Sequence, residues 1–489
     1  MTAHAHFTVF LTEIGYHESA WRLADPADLA APARFGVLER AALTAERGLL
    51  DAVFFADSPG LETFRARYFP QVGFDPLEIL AALSRSTTRV GLIATASTTY
   101  SAPYDLARRF STIDHLSGGR AGWNIVTTRY AGAAGNFGLA AHPAHEDRYA
   151  RAEEFVEVVS RLWESWDAAA VVADQDKGVW ADTDLIRPVD FHGRFFDVSG
   201  ALTLPRSPQG RPAFAQAGSS GPGIELAGKT ADLVFTAQPD IPSGRRFRDT
   251  VRAAAQRHGR SGDDILVLPG VAFVLGSTEA EARSFRAALE DRVDPEFRWR
   301  NLAHNAGLDA ALIDPDRPLS DEAIAAAQRT SRTDDLVRRT RETGKTFRQL
   351  AGEFTGLPGG LEFTGTPEQF ADLIESWVTE GASDGFTLQP TTLPGSLELF
   401  TDHVVPLLQA RGLHRTEYTA TTLRGHLADD ADLRVAEPER KAAEEERSGG
   451  PGGEHTKPHR GGDAEGKQPD QGQVERGAEG CAQVGAVPQ

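Results

Sequence analysis

The stretch DHLSGGRAGWNIVTT, Asp114 to Thr128, decides the fold. Two glycines and an arginine lead into a short run, Ala121–Thr127, with the length and apolar character of a buried strand. A strand built only for packing would be Val, Ile and Leu. This one carries Trp123 and Asn124 at its centre and closes on two threonines. Strand neighbours face opposite sides, so one of the pair points into whatever the strand encloses. An amide there offers donors and an acceptor to a polar ligand.

Working outward, the same pattern repeats. Short apolar runs at Thr8–Leu11, Ala52–Ala56, Val90–Thr95, Ala213–Gln216, Asp232–Thr236, Ile265–Val274 and Gly385–Leu388 make eight candidate strands with the first. Helical stretches lie between them. In the one from Glu153 to Trp166, Phe155, Val158, Val159, Leu162, Trp163 and Trp166 form one apolar stripe. Thr366-Pro367-Glu368-Gln369 reads as an N-cap followed by Pro at the first helical position. Strands alternating with helices imply parallel βαβ units, and eight units imply closure into an α/β (β/α)8 TIM barrel over residues 1–430. The alternative, an open doubly wound sheet, lacks its nucleotide fingerprints: no G-x-G-x-x-G follows the first strand and no G-x-x-x-x-G-K-[ST] occurs. Two insertions, about 167–212 and 295–365, are long enough to serve as lids over an active face.

The remaining totals narrow the class. Residues 434–489 are rich in Gly, Pro, Glu and Gln with almost no large apolar side chains, so they read as a disordered tail. The net charge of -19 belongs almost wholly to the part before it. Nucleic-acid binding has no basic footprint here, and an anionic ligand would need local donors. The lone cysteine, Cys481, excludes an internal disulfide framework. No apolar run approaches a membrane span, and no metal-ligand spacing stands out, so the chain is expected to be cytoplasmic, without membrane or metal.

In such a barrel the active site lies at the C-terminal strand ends. Those ends present Asp57-Ser58, Thr95, Asn124 to Thr128, Gly218-Ser219-Ser220 and Gln389. QAGSSGPG, Gln216 to Gly223, joins a strand to a helical pattern. Its glycines admit close approach, and Ser219 and Ser220 stand where free N–H groups favour phosphate, though a plain serine N-cap reads the same way. His145 and Tyr149 of HEDRY share a face if a helix begins by Glu146. His17 follows the first strand and is a candidate proton carrier, although a loop histidine is often only solvated. Arg129, Arg148 and Arg151 are candidates to meet an anionic substrate.

Taken together, GYHESAWR (15–22), AERGLLDAVFFADS (45–58), ATASTTYSAPYDLARRFSTIDHLSGGRAGWNIVTT (94–128), the segment around HEDRY, PRSPQGRPAFAQAGSS (205–220) and GTPEQFADLIESWVTEGASDGF (365–386) carry a resemblance. The sequence resembles the flavin-dependent monooxygenases of the bacterial luciferase-like superfamily. Within it, the match is to the nitrilotriacetate monooxygenase component A group. The resemblance implies a barrel that binds FMN, as FMNH2, at its mouth. It carries flavin contacts onto Asp57, Thr95, Asn124, His145, Tyr149, Ser219 and Ser220, and catalytic roles onto His17, Asn124 and His145. It further implies a separate NAD(P)H:FMN reductase as partner, a homo-oligomer, and insertion of one oxygen atom of O2 into a small organic substrate through a flavin C4a-(hydro)peroxide. Two other readings stay open at this point: an F420-dependent oxidoreductase on the same barrel, and a flavin-binding protein without turnover.

Overall fold

The computed structural model describes residues 4–428, apart from 13, 71–72, 129, 328–330 and 354–359. The tail, 434–489, lies outside the described residues.

Eight parallel strands close on themselves in chain order: β1 (His6–Phe10), β2 (Ala52–Phe55), β3 (Gly91–Ser97), β4 (Ala121–Val126), β5 (Ala213–Gln216), β6 (Leu233–Thr236), β7 (Leu266–Leu275) and β8 (Gly385–Pro390). The β6–β7 and β8–β1 pairings complete the ring. Helices α1 (Ala31–Arg47), α2 (Pro76–Ser86), α3 (Pro103–Ser117), α4 (His145–Trp163), α5 (Gly221–Thr230), α6 (Ile241–Arg257) and α7 (Pro367–Thr379) follow strands β1 to β7. This is the expected (β/α)8 barrel, with one strand more than the sequence suggests. Leu361–Gly365 pairs with the outer half of β7. It is short and half-buried, so no apolar run announces it.

Burial on both faces explains the apolar strands. One core fills the barrel: Ala52, Phe54, Ile93, Ala213, Ala215, Leu233 and Leu268, with Phe10 and Phe235 beside them. A second lies between strands and helices. Trp123 belongs to the second, packed against Phe110, Phe155, Trp163 and Phe214, with its indole N–H donating to the Ala96 carbonyl at 3.1 Å. Alternation therefore turns Asn124 inward.

The residues before β4 build the floor. α3 ends at Gly118, in the left-handed region at φ 71°. Asp114 is fully buried, and its Oδ1 accepts from the Ala121 N–H at 3.0 Å and the Gln209 amide at 2.6 Å. Arg120 is also buried; its guanidinium donates to Ser117 O, Thr87 Oγ1, Val90 O, Ser84 O and Thr87 O. It ties the start of β4 to the α2–β3 turn without any carboxylate, each bond replacing one to water.

The two insertions part company. Residues 167–212 do not cover the mouth. They run along the outer faces of α3 and α4. Phe196 packs on Phe155, Glu154 accepts from three successive backbone N–H groups (Arg194–Phe196), and Tyr104 donates to the Ala201 carbonyl. The expectation of a lid fails there because apolar residues such as Phe191 and Leu202 are consumed in covering the helix layer. The second insertion does reach the mouth. Its helices, from Pro295–Asn305 to Phe347–Glu353, enclose a core of their own around Trp299, Leu302, Leu336 and Phe347, and the helix Glu279–Glu290 leads into them. They lean on the loops after β1 and β2. Ser19 Oγ donates to Leu289 O at 2.7 Å, Phe297 packs on Tyr68, and His304 meets Glu62 at 2.8 Å.

Candidate active site at the barrel mouth

Thr95 and Asn124 are register partners on β3 and β4, and the Asn124 amide donates to Thr95 Oγ1 at 2.8 Å. Asn124 Oδ1 stays buried without a hydrogen-bond partner. So does Gln389 Oε1 on β8, and a Cβ on Gly270 of β7 would meet the Gln389 amide at 3.1 Å. A missing acceptor contact on a buried amide costs about 1–3 kcal/mol, so two such oxygens near the top of one barrel mark a place for an outside donor.

The far side of the mouth is set by α4 and α5. α4 begins at His145, one residue earlier than the shared face of His145 and Tyr149 requires, and the two rings lie 4.9 Å apart. His145 is exposed; Tyr149 is half-buried. Ser220 is the N-cap of α5, accepting from Gly223 N–H at 3.3 Å, and its hydroxyl donates to Tyr149 Oη at 3.3 Å. Ser219 precedes it, exposed. A Cβ on Gly218 or Gly223 would lie 3.1 or 3.0 Å from the Tyr149 hydroxyl, so glycine is what lets that hydroxyl sit over the helix start. The arrangement gathers two serines, a phenol and free N–H groups where the helix dipole favours an anion.

β4 ends in a tight polar knot. Thr128 is held at φ 49°, an uncommon conformation for a β-branched residue. Its hydroxyl donates to Ser97 Oγ at 2.7 Å, which in turn accepts from the Thr99 and Tyr100 N–H groups. Tyr100, just beyond, bonds His142 Nδ1 at 2.8 Å and stacks on Phe137. Burial, and then Arg148, lower the His142 pKa. Arg148 donates to Pro143 O and Arg151 to Thr98 O, so both serve this loop; Arg129 lies outside the described residues.

Beside these groups, between the loops after β1 and β2, opens a cavity of about 590 Å3. Phe10, Ile14, Trp21, Phe55, Phe69 and Phe74 supply much of its wall, with Asp57 and Arg65 as its charged members. Burial, then the charge of Asp75, push the Asp57 carboxyl up to about 6. His17 faces elsewhere. Its Nδ1 accepts from Ser19 N–H at 3.2 Å, which leaves Nε2–H to donate to Glu290 Oε1 at 3.3 Å. Burial raises the Glu290 carboxyl, but the bond to His17 and the charges of Arg298 and Arg286 outweigh it and hold it at about 2. No sequence signal announced Glu290 or Arg65; Gln389 is among the expected strand ends, but nothing announced that its oxygen would be unmatched. Each matters through a neighbour remote in the chain. Among the described residues no cluster fit to hold a metal occurs, and no helix is long and apolar enough to cross a membrane.

Known proteins carry the same chain plan. The profile of the luciferase-like monooxygenase family matches residues 15–384. N-acetyl-S-(2-succino)cysteine monooxygenase of Bacillus subtilis (strain 168) is 40% identical over 423 residues, 86% of this chain and 95% of that protein. Nitrilotriacetate monooxygenase component A of Aminobacter aminovorans is 40% identical over 433 residues, again 86% and 95%. The crystal structure of a riboflavin lyase with modified FMN and riboflavin is 31% identical, covers 87% of this chain and 96% of its own, and superposes with a TM-score of 0.74.

Proposed function

The chain belongs to the luciferase-like monooxygenase family, and from that premise we propose that it is the oxygenase of a two-component system, using FMNH2 supplied by a separate NAD(P)H:FMN reductase. The observation that carries this reading is the Tyr149–Ser220 pair over the start of α5, facing the same mouth that holds the unmatched Asn124 and Gln389 oxygens. One end suits a phosphate. The other suits a heterocycle with N–H and carbonyl edges. The relatives' names support the cofactor and the divided system: one structure contains FMN, and one relative is a component A.

Ser219, Ser220, Tyr149 and His145 would hold the phosphate end, Thr95 and Asn124 the ring, and Asp57 a polar edge or its own loop. When bound, reduced flavin supplies the two electrons with which O2 is activated. The chain's own task is to orient the substrate, exclude water and move protons. The 295–365 insertion backs the loops around the cavity and so limits solvent access. His145, exposed at the start of α4, is free to carry a proton to and from the mouth. His17 is better suited to positioning, since its Nδ1 is engaged by Ser19 of its own loop and its Nε2 by Glu290 of the helix Glu279–Glu290.

Titration of the protein with FMN tests the assignment. Ser220→Ala should weaken binding by about 10- to 100-fold, the worth of a hydrogen bond to a charged group. Tyr149→Phe, which leaves the helix cap intact, should weaken it too. Unchanged affinity in both variants counts against the phosphate site. Supplying reduced FMN from a generic reductase under 18O2 then separates the enzyme readings. Label in the product supports the monooxygenase. Turnover with F420 and no oxygen uptake would favour deazaflavin chemistry, and flavin uptake without any product a binding protein.

A further inference from the structure

We propose that the cavity between the β1 and β2 loops takes the substrate, and that Arg65 selects organic acids, compounds with an apolar body that ends in a carboxylate. This rests on the oxygenase reading above and names the substrate class of its site. The walls come first. Phe10, Trp21, Phe55, Phe69 and Phe74 line a space of about 590 Å3, which favours flat or branched apolar groups. Arg65 breaks that wall.

Arg65 stands in a four-residue helix, Thr63–Ala66, in the loop after β2. Its Nε–H is buried and has no hydrogen-bond acceptor. Glu62 Oε2 lies 3.6 Å from Nη1, within reach of attraction but beyond a good hydrogen bond. The other oxygen of Glu62 is held by His304 of the insertion at 2.8 Å. Glu62 therefore steadies the guanidinium without satisfying it. An arginine with donors to spare at a cavity walled mainly by aromatic side chains matches a carboxylate, which accepts from its planar fork in pairs. Asp57 is the other charged side chain on the wall among the described residues and is ionised at neutral pH, so a carboxylate is drawn to the Arg65 side of the cavity and turned from the Asp57 side. The chain as a whole is strongly acidic, so it attracts no anion by its general field; a carboxylate must be recognised locally.

The test is a binding comparison on the FMN-loaded protein, by calorimetry, between (phenylthio)acetate and its primary amide. The two share ring, sulfur and size and differ in charge. The acid should bind about 10- to 100-fold tighter than the amide. Arg65→Gln should erase that difference, while Arg65→Lys, which keeps the charge and loses the fork, should retain part of it. Equal binding of acid and amide by the unaltered protein, absence of acid binding, or a preference that survives Arg65→Gln each overturns the proposal. The comparison is repeated without flavin. Failure of FMN to bind would sink the oxygenase reading, whereas the acid-to-amide ratio of the flavin-free protein still reports on Arg65.

Discussion

Asp57 stands two residues beyond β2 at the edge of the cavity, where partial burial and then the charge of Asp75 raise its carboxyl from 3.8 to about 6. A group that binds its proton more tightly when folded favours folding at low pH. Its penalty builds as pH rises from the unfolded value through the folded one, and is complete above about 6. Asp57→Asn removes the charge and keeps the shape. The variant should therefore melt above the parent at pH 7.5, and the gap should shrink as pH falls below 6 and close near pH 4. Calorimetric scans across that range check it; a gap independent of pH would show that the carboxylate is not penalised. At this scale the sequence was informative where strand alternation governs. Period alone says that one of Trp123 and Asn124 faces inward; the structure selects Asn124, bonded to Thr95 beside it. The sequence was silent where partners come from distant loops. Arg65 sits in ETFRARYF, which has no period to read, and acquires meaning from Glu62, His304 and a cavity wall made by two loops.

Among elements, the helix Glu279–Glu290, which leads into the second insertion, ties the mouth's outer wall to the β1 loop. Its last residue, Glu290, meets His17 at 3.3 Å, Arg298 at 2.9 Å and Arg286 at 3.0 Å, while Arg286 reaches on to Glu362 at 2.8 Å. Because its carboxyl is held at about 2, against 4.5 unperturbed, the contribution of this cluster is present above about 4.5 and lost as pH falls toward 2. Glu290→Gln removes the charge from a half-buried network. It should lower stability by about 1.5–3 kcal/mol and speed proteolysis within 306–327, where the insertion would loosen. Cleavage no faster than in the parent would mean that apolar packing, such as Phe297 on Tyr68, fastens the insertion alone. The elements themselves were legible to different degrees. Thr366 does cap α7 with Pro367 at its start, in a full capping box with Gln369, because that signal is local. The path of 167–212 was not legible. Length alone suggests a lid, and only the fit of Phe191, Phe196 and Leu202 to α3 and α4 decides otherwise.

At the scale of the whole molecule, the barrel is open at one end and closed at the other. A short helix near the end of the described chain, Leu423–Ala428, stops the floor. Leu423 is fully buried among Ala52, Phe54, Ile93 and Ala213, and the strands make room for it with glycine. A Cβ on Gly122 would lie 3.0 Å from Leu423 Cδ2 and 2.8 Å from Ile93 Cγ1, and one on Gly91 would also collide with Leu423. This explains a second oddity of GRAGWNIVTT, a glycine inside a buried strand, which marks a close approach. The helix is tied down nearby, with His426 Nε2 bonded to Arg89 O at 2.8 Å and Arg424 N–H donating to Gln209 Oε1 at 3.1 Å. Floor and mouth are therefore separate jobs done by opposite strand ends, stability below and ligand chemistry above. Leu423→Ala empties a site walled by Gly91, Gly122 and side chains fixed on the barrel strands, which has little freedom to collapse inward. It should cost about 2–5 kcal/mol in urea unfolding. FMN affinity measured well below the unfolding transition should stay at the parent value, since no group assigned to the flavin touches the stopper. A loss of affinity in step with the loss of stability would mean that the two ends of the barrel do not act independently.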